Sequence, residues 1–236
     1  MSQSPKATRP LAVRIARRIP YARAAADRIH AWRLSHQRSA KNTAQKNTLR
    51  AYNRLYRSDS LLAEYLGPER LAFYDEVAAA CSLLQPRSVI DVGCGTGHLL
   101  GSLVDQVRVE PDVVVGVDHS RAAIARARAV LPTARWIVRD LYELTLAERF
   151  ELVLCTEVLE HVREPAQAVD VLCGLCASDG RVAVTVPDGA QDSWEGHVNF
   201  WNENEFRAFL APYGLVGLDR IQDGAVLLGW LTPNAG

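Results

Sequence analysis

Apolar and polar positions follow two different periods along the chain, and the period changes near residue 88. Before that point, apolar residues recur at helical spacing. Residues 11–34 predict two short, basic amphipathic helices, and the polar segment 39–48 predicts a linker. Helical spacing returns over residues 49–86, where one face carries Leu49, Tyr52, Leu55 and Tyr56.

After residue 88, short and almost continuously apolar runs alternate with helical segments. The runs cover residues 88–93, 112–118, 134–140, 150–156 and 181–187, and helical spacing covers 98–107, 120–132, 165–180 and 202–214. Two final runs, 215–222 and 225–231, flank Asp223-Gly224, which is a hairpin signal. Apolar strands that alternate with helices predict an α/β fold, with a mostly parallel, doubly wound sheet covered on both faces.

Formal charge is zero overall but unevenly distributed. Residues 1–60 carry 14 Lys and Arg against two acids, whereas the remainder carries 13 basic and 25 acidic residues. The N-terminal arm, residues 1–48, is either a solvated segment that partly folds against the acidic body or a contact for an anionic partner. That partner would be a nucleic acid or a membrane surface. The Arg- and Ala-rich, acid-poor composition also matches a mitochondrial transit segment.

The remaining composition is typical of a globular protein, with 48% hydrophobic and 23% charged residues. No apolar run approaches the ~20 residues of a transmembrane helix, and no secretory signal is visible. Five cysteines are an odd number, which favours reduced thiols in a cytoplasmic protein. Cys173 and Cys176 have the spacing of half a zinc site or a redox pair, but burial within a predicted helix explains them better.

The segment "VIDVGCGTGHLL" joins the first predicted strand to the next helix. Gly93, Gly95 and Gly97 allow a tight turn and close approach of a ligand, and the helix start attracts an anion. A dinucleotide fingerprint requires glycine where His98 stands, so a dinucleotide oxidoreductase is a distant alternative. Asp91 would repel a pyrophosphate but suits a ligand that carries an ammonium group.

This segment closely resembles motif I of class I S-adenosylmethionine-dependent methyltransferases, and the resemblance spans roughly residues 50–236. It implies a Rossmann-like, seven-stranded sheet whose last strand is antiparallel, with lid helices over 49–86 and the core over 87–236. In that family, acids after the second and third strands bind the ribose hydroxyls and the adenine amino group; here they are Asp118 and Asp140. The implied S-adenosyl-L-methionine site comprises Asp91, Gly93, Cys94, Gly95, Gly97, Asp118, His119, Asp140, Leu141, Thr156 and Glu157.

The segment "TEVLEHV" follows the fourth predicted strand and, if it is helical, has Glu157, Glu160 and His161 on one face. Metal-dependent relatives, such as ubiquinone-pathway O-methyltransferases and small-RNA 2′-O-methyltransferases, combine E-x-x-E-H with a later histidine, here His197. The resemblance implies that these four residues bind Mg²⁺, Mn²⁺ or Zn²⁺, or that His161 or His197 acts as a general base. A purely structural role is the alternative.

The sequence therefore predicts a methyltransferase that acts on a hydroxyl of a small molecule, such as a natural product, a sugar or a phenol. An RNA 2′-O-methyltransferase that uses the basic arm to hold phosphates is an alternative. A non-catalytic module that binds S-adenosylmethionine and acts on a partner is another.

Overall fold

The computed structural model describes residues 47–107 and 113–233. The predicted basic arm, residues 1–48, lies outside this description apart from its last two residues. Three helices come first: α1 (Leu49–Arg57), α2 (Asp59–Tyr65) and α3 (Pro68–Ser82). Ser58 separates the first two, because its side chain accepts a hydrogen bond from the Leu61 N–H and so caps α2.

Seven strands form one sheet in the order β3-β2-β1-β4-β5-β7-β6. They are β1 (Ser88–Val92), β2 (Val113–Asp118), β3 (Arg135–Val138), β4 (Phe150–Thr156), β5 (Cys176–Pro187), β6 (Leu215–Ile221) and β7 (Val226–Leu231). Strands β1 to β5 pair in parallel, whereas β7 is antiparallel to both of its neighbours. This confirms the predicted Rossmann-like sheet. Because the chain order reverses between β1 and β4, their carboxyl ends open a crevice.

Helices cover both faces of this sheet, as predicted. They are α4 (His98–Val107), α5 (Arg121–Val130), α6 (Pro165–Leu175) and α7 (Glu203–Leu210). Val89 of β1 packs in a core that includes residues of α3, α4 and α5, and its neighbour Ile90, which points to the opposite face, is also fully buried. Among the described residues, no helix is both long enough and apolar enough to cross a membrane.

The helix predicted over residues 165–180 is wrong at its C-terminal end. Helix α6 ends at Leu175, and β5 begins at once with Cys176. The register between β4 and β5 shifts here, and a Cβ on Gly180 would lie 2.8 Å from the carbonyl oxygen of Phe150. Pairing with β4 therefore prevails over local helical spacing, at a position where the close backbone approach favours glycine.

The two cysteines of "CGLC" consequently lie in different elements. Cys173 is in α6 and Cys176 is the first residue of β5, and both are free thiols. Burial raises the pKa of Cys173 to about 12 and that of Cys176 to about 11. Packing against the sheet, rather than thiolate chemistry, accounts for them.

Helices α1 and α2 pack on α5 through a small hydrophobic cluster of their own. Its buried members are Tyr56, Leu62 and Ala123. Polar contacts reinforce it, since Asn53 Oδ1 accepts hydrogen bonds from Ser120 Oγ at 2.8 Å and from the Ala122 N–H at 3.3 Å. These contacts hold α1 over the carboxyl end of β2.

Candidate functional site

A cavity of about 1000 Å³ lies between the carboxyl ends of β1 to β4 and the helices α1 to α3. All of the predicted site residues line it except Gly97. This is the crevice that the strand order predicts for a ligand, and its volume suits a nucleoside-sized molecule together with a second reactant.

The glycine turn after β1 forms one wall of the cavity. Gly93, Gly95 and Gly97 have φ angles of 85°, 51° and 76°, in the left-handed region that disfavours other residues. A Cβ on Gly93 would lie 2.3 Å from a methyl carbon of Val158, and one on Gly97 would lie 2.5 Å from the Trp136 ring. Tight packing on both sides therefore requires glycine at these two positions.

Asp118, at the end of β2, connects the glycine turn to the start of α5. Its Oδ2 accepts a hydrogen bond from the Gly95 N–H at 3.0 Å, and its Oδ1 accepts one from the Ser120 N–H at 2.7 Å. Burial raises the pKa of this carboxyl, although the two N–H donors oppose the increase. Each oxygen can accept a further hydrogen bond, so the carboxylate can bind a pair of ligand hydroxyls.

Asp91, in β1, is buried, with 1% of its surface exposed. Within the described chain, its Oδ1 has no hydrogen-bond partner. Burial raises the pKa of Asp91 to about 8, and the charge of Asp118 adds to the increase. A buried carboxyl in this state would be stabilised by a cationic group that entered the cavity.

Residues after β3 form a more open edge of the cavity. Asp140 is exposed, and its Oδ1 accepts a hydrogen bond from the Tyr142 N–H at 2.9 Å, which caps a short 3₁₀ turn that begins at Leu141. On the neighbouring strand end, the His119 ring is 5.4 Å from that of Tyr52. Cys94 and Thr156 are buried in the cavity wall.

Arg70, in α3, is a site residue that the sequence did not indicate. Its guanidinium carbon lies 5.1 Å from the centre of the Tyr65 ring and 5.4 Å from that of Phe73. One of its nitrogens is 3.8 Å from Glu157 Oε2. A guanidinium that lines the cavity near Glu157 and Glu160 can also bind an anionic group of a ligand. Only the docking of α3 onto the strand ends identifies it, because Arg70 stands in an ordinary amphipathic helix.

The "TEVLEHV" segment is not a helix. It forms a turn after β4, and Glu157 has a φ angle of 55°. This conformation directs Glu157 to Thr185, whose Oγ1 donates a hydrogen bond to Oε1 at 3.3 Å, and to Arg70. The three polar side chains therefore do not share one helical face, and Glu157 does not join the others.

Glu160, His161 and His197 do come together. Potential ligand atoms of the three lie within 4.8 Å of one another. Glu160 Oε1 is 3.7 Å from His161 Nε2 and 4.0 Å from His197 Nε2. The Glu160 side chain is 1% exposed, and among the described residues neither of its carboxyl oxygens has a hydrogen-bond partner. A buried carboxyl without donors, facing two imidazoles, is an arrangement that suits a cation or a proton.

Burial also determines the charge of this cluster. It raises the pKa of Glu160 well above its usual value, and the nearby Glu157 adds to the increase. Burial lowers the pKa of His161 to about 3, with a smaller contribution from His197, and burial also lowers the pKa of His197. Both imidazoles are therefore neutral at pH 7 and offer a nitrogen lone pair.

Asn199 holds the turn that presents this cluster, and sequence reasoning missed it. Its Nδ2 donates hydrogen bonds to the carbonyl oxygens of Leu159 at 2.8 Å and Val162 at 2.7 Å. The Glu160 carbonyl in turn accepts hydrogen bonds from the N–H groups of Val198 and Asn199. Because these partners are about 40 residues apart, no local pattern connects them.

A family profile described as "Methyltransferase domain" matches residues 62–218. The chain belongs to this family. The ubiquinone biosynthesis O-methyltransferase of Alkalilimnicola ehrlichii is 37% identical over 123 residues, which are 50% of this chain and 47% of that protein. The trans-aconitate 2-methyltransferase of Delftia acidovorans is 31% identical over 121 residues, 50% of this chain and 44% of that protein. The chain thus spans about half the length of these relatives.

Solved structures support the same fold. The N-methyltransferase NodS from Bradyrhizobium japonicum, in complex with S-adenosyl-L-homocysteine, superposes with a TM-score of 0.64. Its sequence is 20% identical, and the match covers 80% of this chain and 100% of NodS. The chain therefore shares the fold of NodS while differing from it in most residues.

Proposed function

We propose that this chain is an S-adenosylmethionine-dependent methyltransferase that methylates a hydroxyl group of a small molecule. The observation that carries the proposal is the pair of buried carboxyls, Asp91 and Asp118, at adjacent strand ends beside the glycine turn. Asp91 Oδ1 has no hydrogen-bond partner among the described residues, and Asp118 is held by two backbone N–H groups.

The residues present fit S-adenosylmethionine, which supplies a methyl group already activated by its sulfonium. Asp118 would accept hydrogen bonds from the ribose hydroxyls, and Asp91 would compensate the ammonium group of the methionine moiety. Arg70 would bind its carboxylate, and Asp140 with the backbone of Leu141 would meet the adenine. The N–H groups of the glycine turn, together with Cys94, His119, Thr156 and Glu157, complete the wall around it.

Affinity for S-adenosylmethionine is expected to increase with pH up to about pH 8. The free protein holds a proton on Asp91, since burial raises the pKa of that carboxyl to about 8. Binding of an ammonium group favours the ionised form, so the proton is released on binding. Below that pKa, affinity should therefore rise by up to about tenfold per pH unit. Calorimetry at several pH values, in buffers of different ionisation enthalpy, measures both the affinity and the number of protons released on binding.

The variant Asp91→Asn tests whether Asp91 binds the ammonium group of S-adenosylmethionine. It should bind more weakly, and its affinity should no longer depend on pH in this range. Binding without proton release by the unsubstituted protein would contradict the assignment of Asp91 to the ammonium group.

The cluster of Glu160, His161 and His197 supports a hydroxyl as the acceptor. A hydroxyl is too weak an acid to ionise at pH 7, so its methylation benefits from removal of a proton. His197 is the better proton acceptor of the two imidazoles, because burial lowers the pKa of His161 to about 3, whereas the hydrogen bond to Asp192 opposes the lowering of the His197 pKa. Alternatively, the three residues would hold Mg²⁺, Mn²⁺ or Zn²⁺, and such a cation supplies Lewis acidity toward an acceptor oxygen. Glu160 fits that role, because neither of its buried oxygens has a hydrogen-bond partner in the described part of the chain, whereas Glu157 contacts Arg70 and Thr185 instead.

The rim of the cavity supports a planar acceptor of small size. Trp194 is 48% exposed and lines the cavity, with its ring 5.5 Å from that of His161 and 4.8 Å from that of His197. The Tyr52 ring also contacts that of His161, at 6.2 Å. Aromatic side chains around the imidazoles favour a phenol-like ring as the acceptor. The names of the relatives, which refer to ubiquinone and trans-aconitate, also favour small molecules.

The basic composition of residues 1–60 is the observation that favours RNA as a second candidate acceptor. In that case methylated RNA would be the product, and binding would weaken steeply with salt and require residues 1–48.

A screen with methyl-labelled S-adenosylmethionine tests the proposal. The acceptors should include phenols, sugars, carboxylic acids, amines and RNA, each with and without EDTA. We expect label in a phenolic hydroxyl. Label in amines alone, or in RNA alone, would replace the proposed acceptor class. Absence of transfer to every acceptor, together with tight cofactor binding, would instead support a non-catalytic module.

A further inference from the structure

Asp192, in the loop between β5 and α7, is held in place at both carboxyl oxygens. Oδ1 accepts a hydrogen bond from the Trp194 N–H at 3.0 Å, and Oδ2 lies 2.5 Å from His197 Nδ1. Its own N–H donates to the carbonyl oxygen of Asp188 at 2.9 Å, and its side chain is 9% exposed. The loop backbone therefore holds one oxygen of the carboxylate and leaves the other facing His197.

A carboxylate can only accept hydrogen bonds, so the contact with Asp192 requires a proton on Nδ1 of His197. In a neutral ring, the lone pair is then on Nε2. That nitrogen is the one that faces the cluster, 4.0 Å from Glu160 Oε1, and the ring centre is 4.8 Å from that of His161.

We infer that Asp192 is a positioning residue that fixes the tautomer and orientation of His197, so that the Nε2 lone pair faces the reaction cavity. This inference rests on the proposed function for its chemical use. The same tautomer serves either use of His197, because a metal ligand and a general base both need an unprotonated Nε2. A histidine with the opposite tautomer would present an N–H to Glu160 and could do neither.

The geometry makes asparagine the informative replacement. The backbone N–H of Trp194 cannot turn away, so it should retain the single amide oxygen of an asparagine at this position. The amide nitrogen would then face Nδ1 of His197 and donate a hydrogen bond to it. This exchange would move the ring proton to Nε2 without removing any atom from the loop.

Nitrogen NMR of the full-length protein, labelled in histidine and free of metal and cofactor, tests the inference at neutral pH. His197 is assigned by its loss in a His197→Gln variant. In the unsubstituted protein, Nδ1 should have a protonated-type shift and Nε2 an unprotonated-type shift. Asp192→Asn should reverse the two, Asp192→Glu should keep the original pattern, and the exposed control Asp179→Asn should change nothing.

A protonated Nε2 in the unsubstituted protein would overturn the inference, and this outcome does not depend on the folding of any variant. An unreversed pattern in a folded Asp192→Asn protein would also overturn it.

Two separate measurements test whether the His197 tautomer matters for metal binding or for catalysis. They are calorimetry with Mn²⁺ alone and turnover with the acceptor found in the screen. Mn²⁺ affinity or turnover should fall by roughly 10- to 100-fold in Asp192→Asn, as expected for a residue that orients a ligand, and should recover in Asp192→Glu. A reversed tautomer with unchanged turnover would refute the role of His197 in the proposed function while leaving the assignment of Asp192 intact.

Discussion

Replacement of Glu160 by glutamine is expected to lower methyl-transfer turnover by more than about 10²-fold, while affinity for S-adenosylmethionine changes little. Loss of a residue that only orients a metal ligand costs about 10- to 100-fold, so loss of a direct ligand should cost more. Glu160 contacts the two histidines rather than the glycine turn, which explains why cofactor affinity should persist. Steady-state kinetics and calorimetry on the same preparation measure the two effects.

Glu160→Gln should at the same time cause no loss of thermal stability at pH 8. Burial raises the pKa of Glu160 in the folded state, so the folded protein binds more protons than the unfolded chain at pH values above about 4.5. The stability contribution of this group therefore falls as pH rises toward the folded-state pKa. Glutamine carries no charge, so it removes the loss of stability that the buried carboxyl causes as pH rises. In addition, neither Glu160 carboxyl oxygen has a hydrogen bond among the described residues that the substitution would break.

The matched control is Glu164→Gln, four residues further on, where the side chain is exposed and makes no cap hydrogen bond. It should retain turnover and stability. EDTA should reproduce the effect of Glu160→Gln on the unsubstituted protein if the cluster holds a metal. If EDTA has no effect and Glu160→Gln is fully active, Glu160 is structural and only the histidines remain as candidate bases.

Replacement of Asp118 by alanine should weaken binding of S-adenosylmethionine by about 10²- to 10⁴-fold. Hydrogen bonds to a charged group contribute roughly 1.5–3 kcal/mol each, and two ribose hydroxyls would lose their acceptor. The change also removes the acceptor for the Gly95 N–H, so the glycine turn loses a contact that determines its shape. Calorimetry gives the affinity directly.

Asp105→Ala, at an exposed position of α4, is the matched control and should bind with unchanged affinity. Circular dichroism of both variants separates lost binding from lost folding. Unchanged affinity in a folded Asp118→Ala protein would contradict the proposed cofactor site.

Several features of this protein could be predicted because they depend on neighbouring residues. Strands β1 and β4 are almost continuously apolar runs, since both of their faces are buried, and the final hairpin follows from Asp223-Gly224. The glycine turn could be predicted from the sequence for the same reason. Each of its glycines has a positive φ angle that few other residues adopt.

Other features could not be predicted, because competing long-range contacts decided them. Helical spacing continues past Leu175, but pairing with β4 converts the next residues to strand. The turn after β4 has the same residues that a helix would align, yet hydrogen bonds from Asn199 to Leu159 and Val162 hold it in another conformation. These contacts join segments that no local pattern relates.

The sequence by itself determined the α/β architecture, the glycine turn and the identity of the acids at the strand ends. It did so because burial periodicity and φ preferences act over a few residues. Only the tertiary structure decided which of the four candidate ligands come together, and it separated Glu157 from Glu160, His161 and His197. The tertiary structure also identified Arg70 and Asp192 as residues of the candidate site. Their roles depend on where α3 and the loop after β5 pack against the sheet, and such packing is set by contacts between residues distant in the chain.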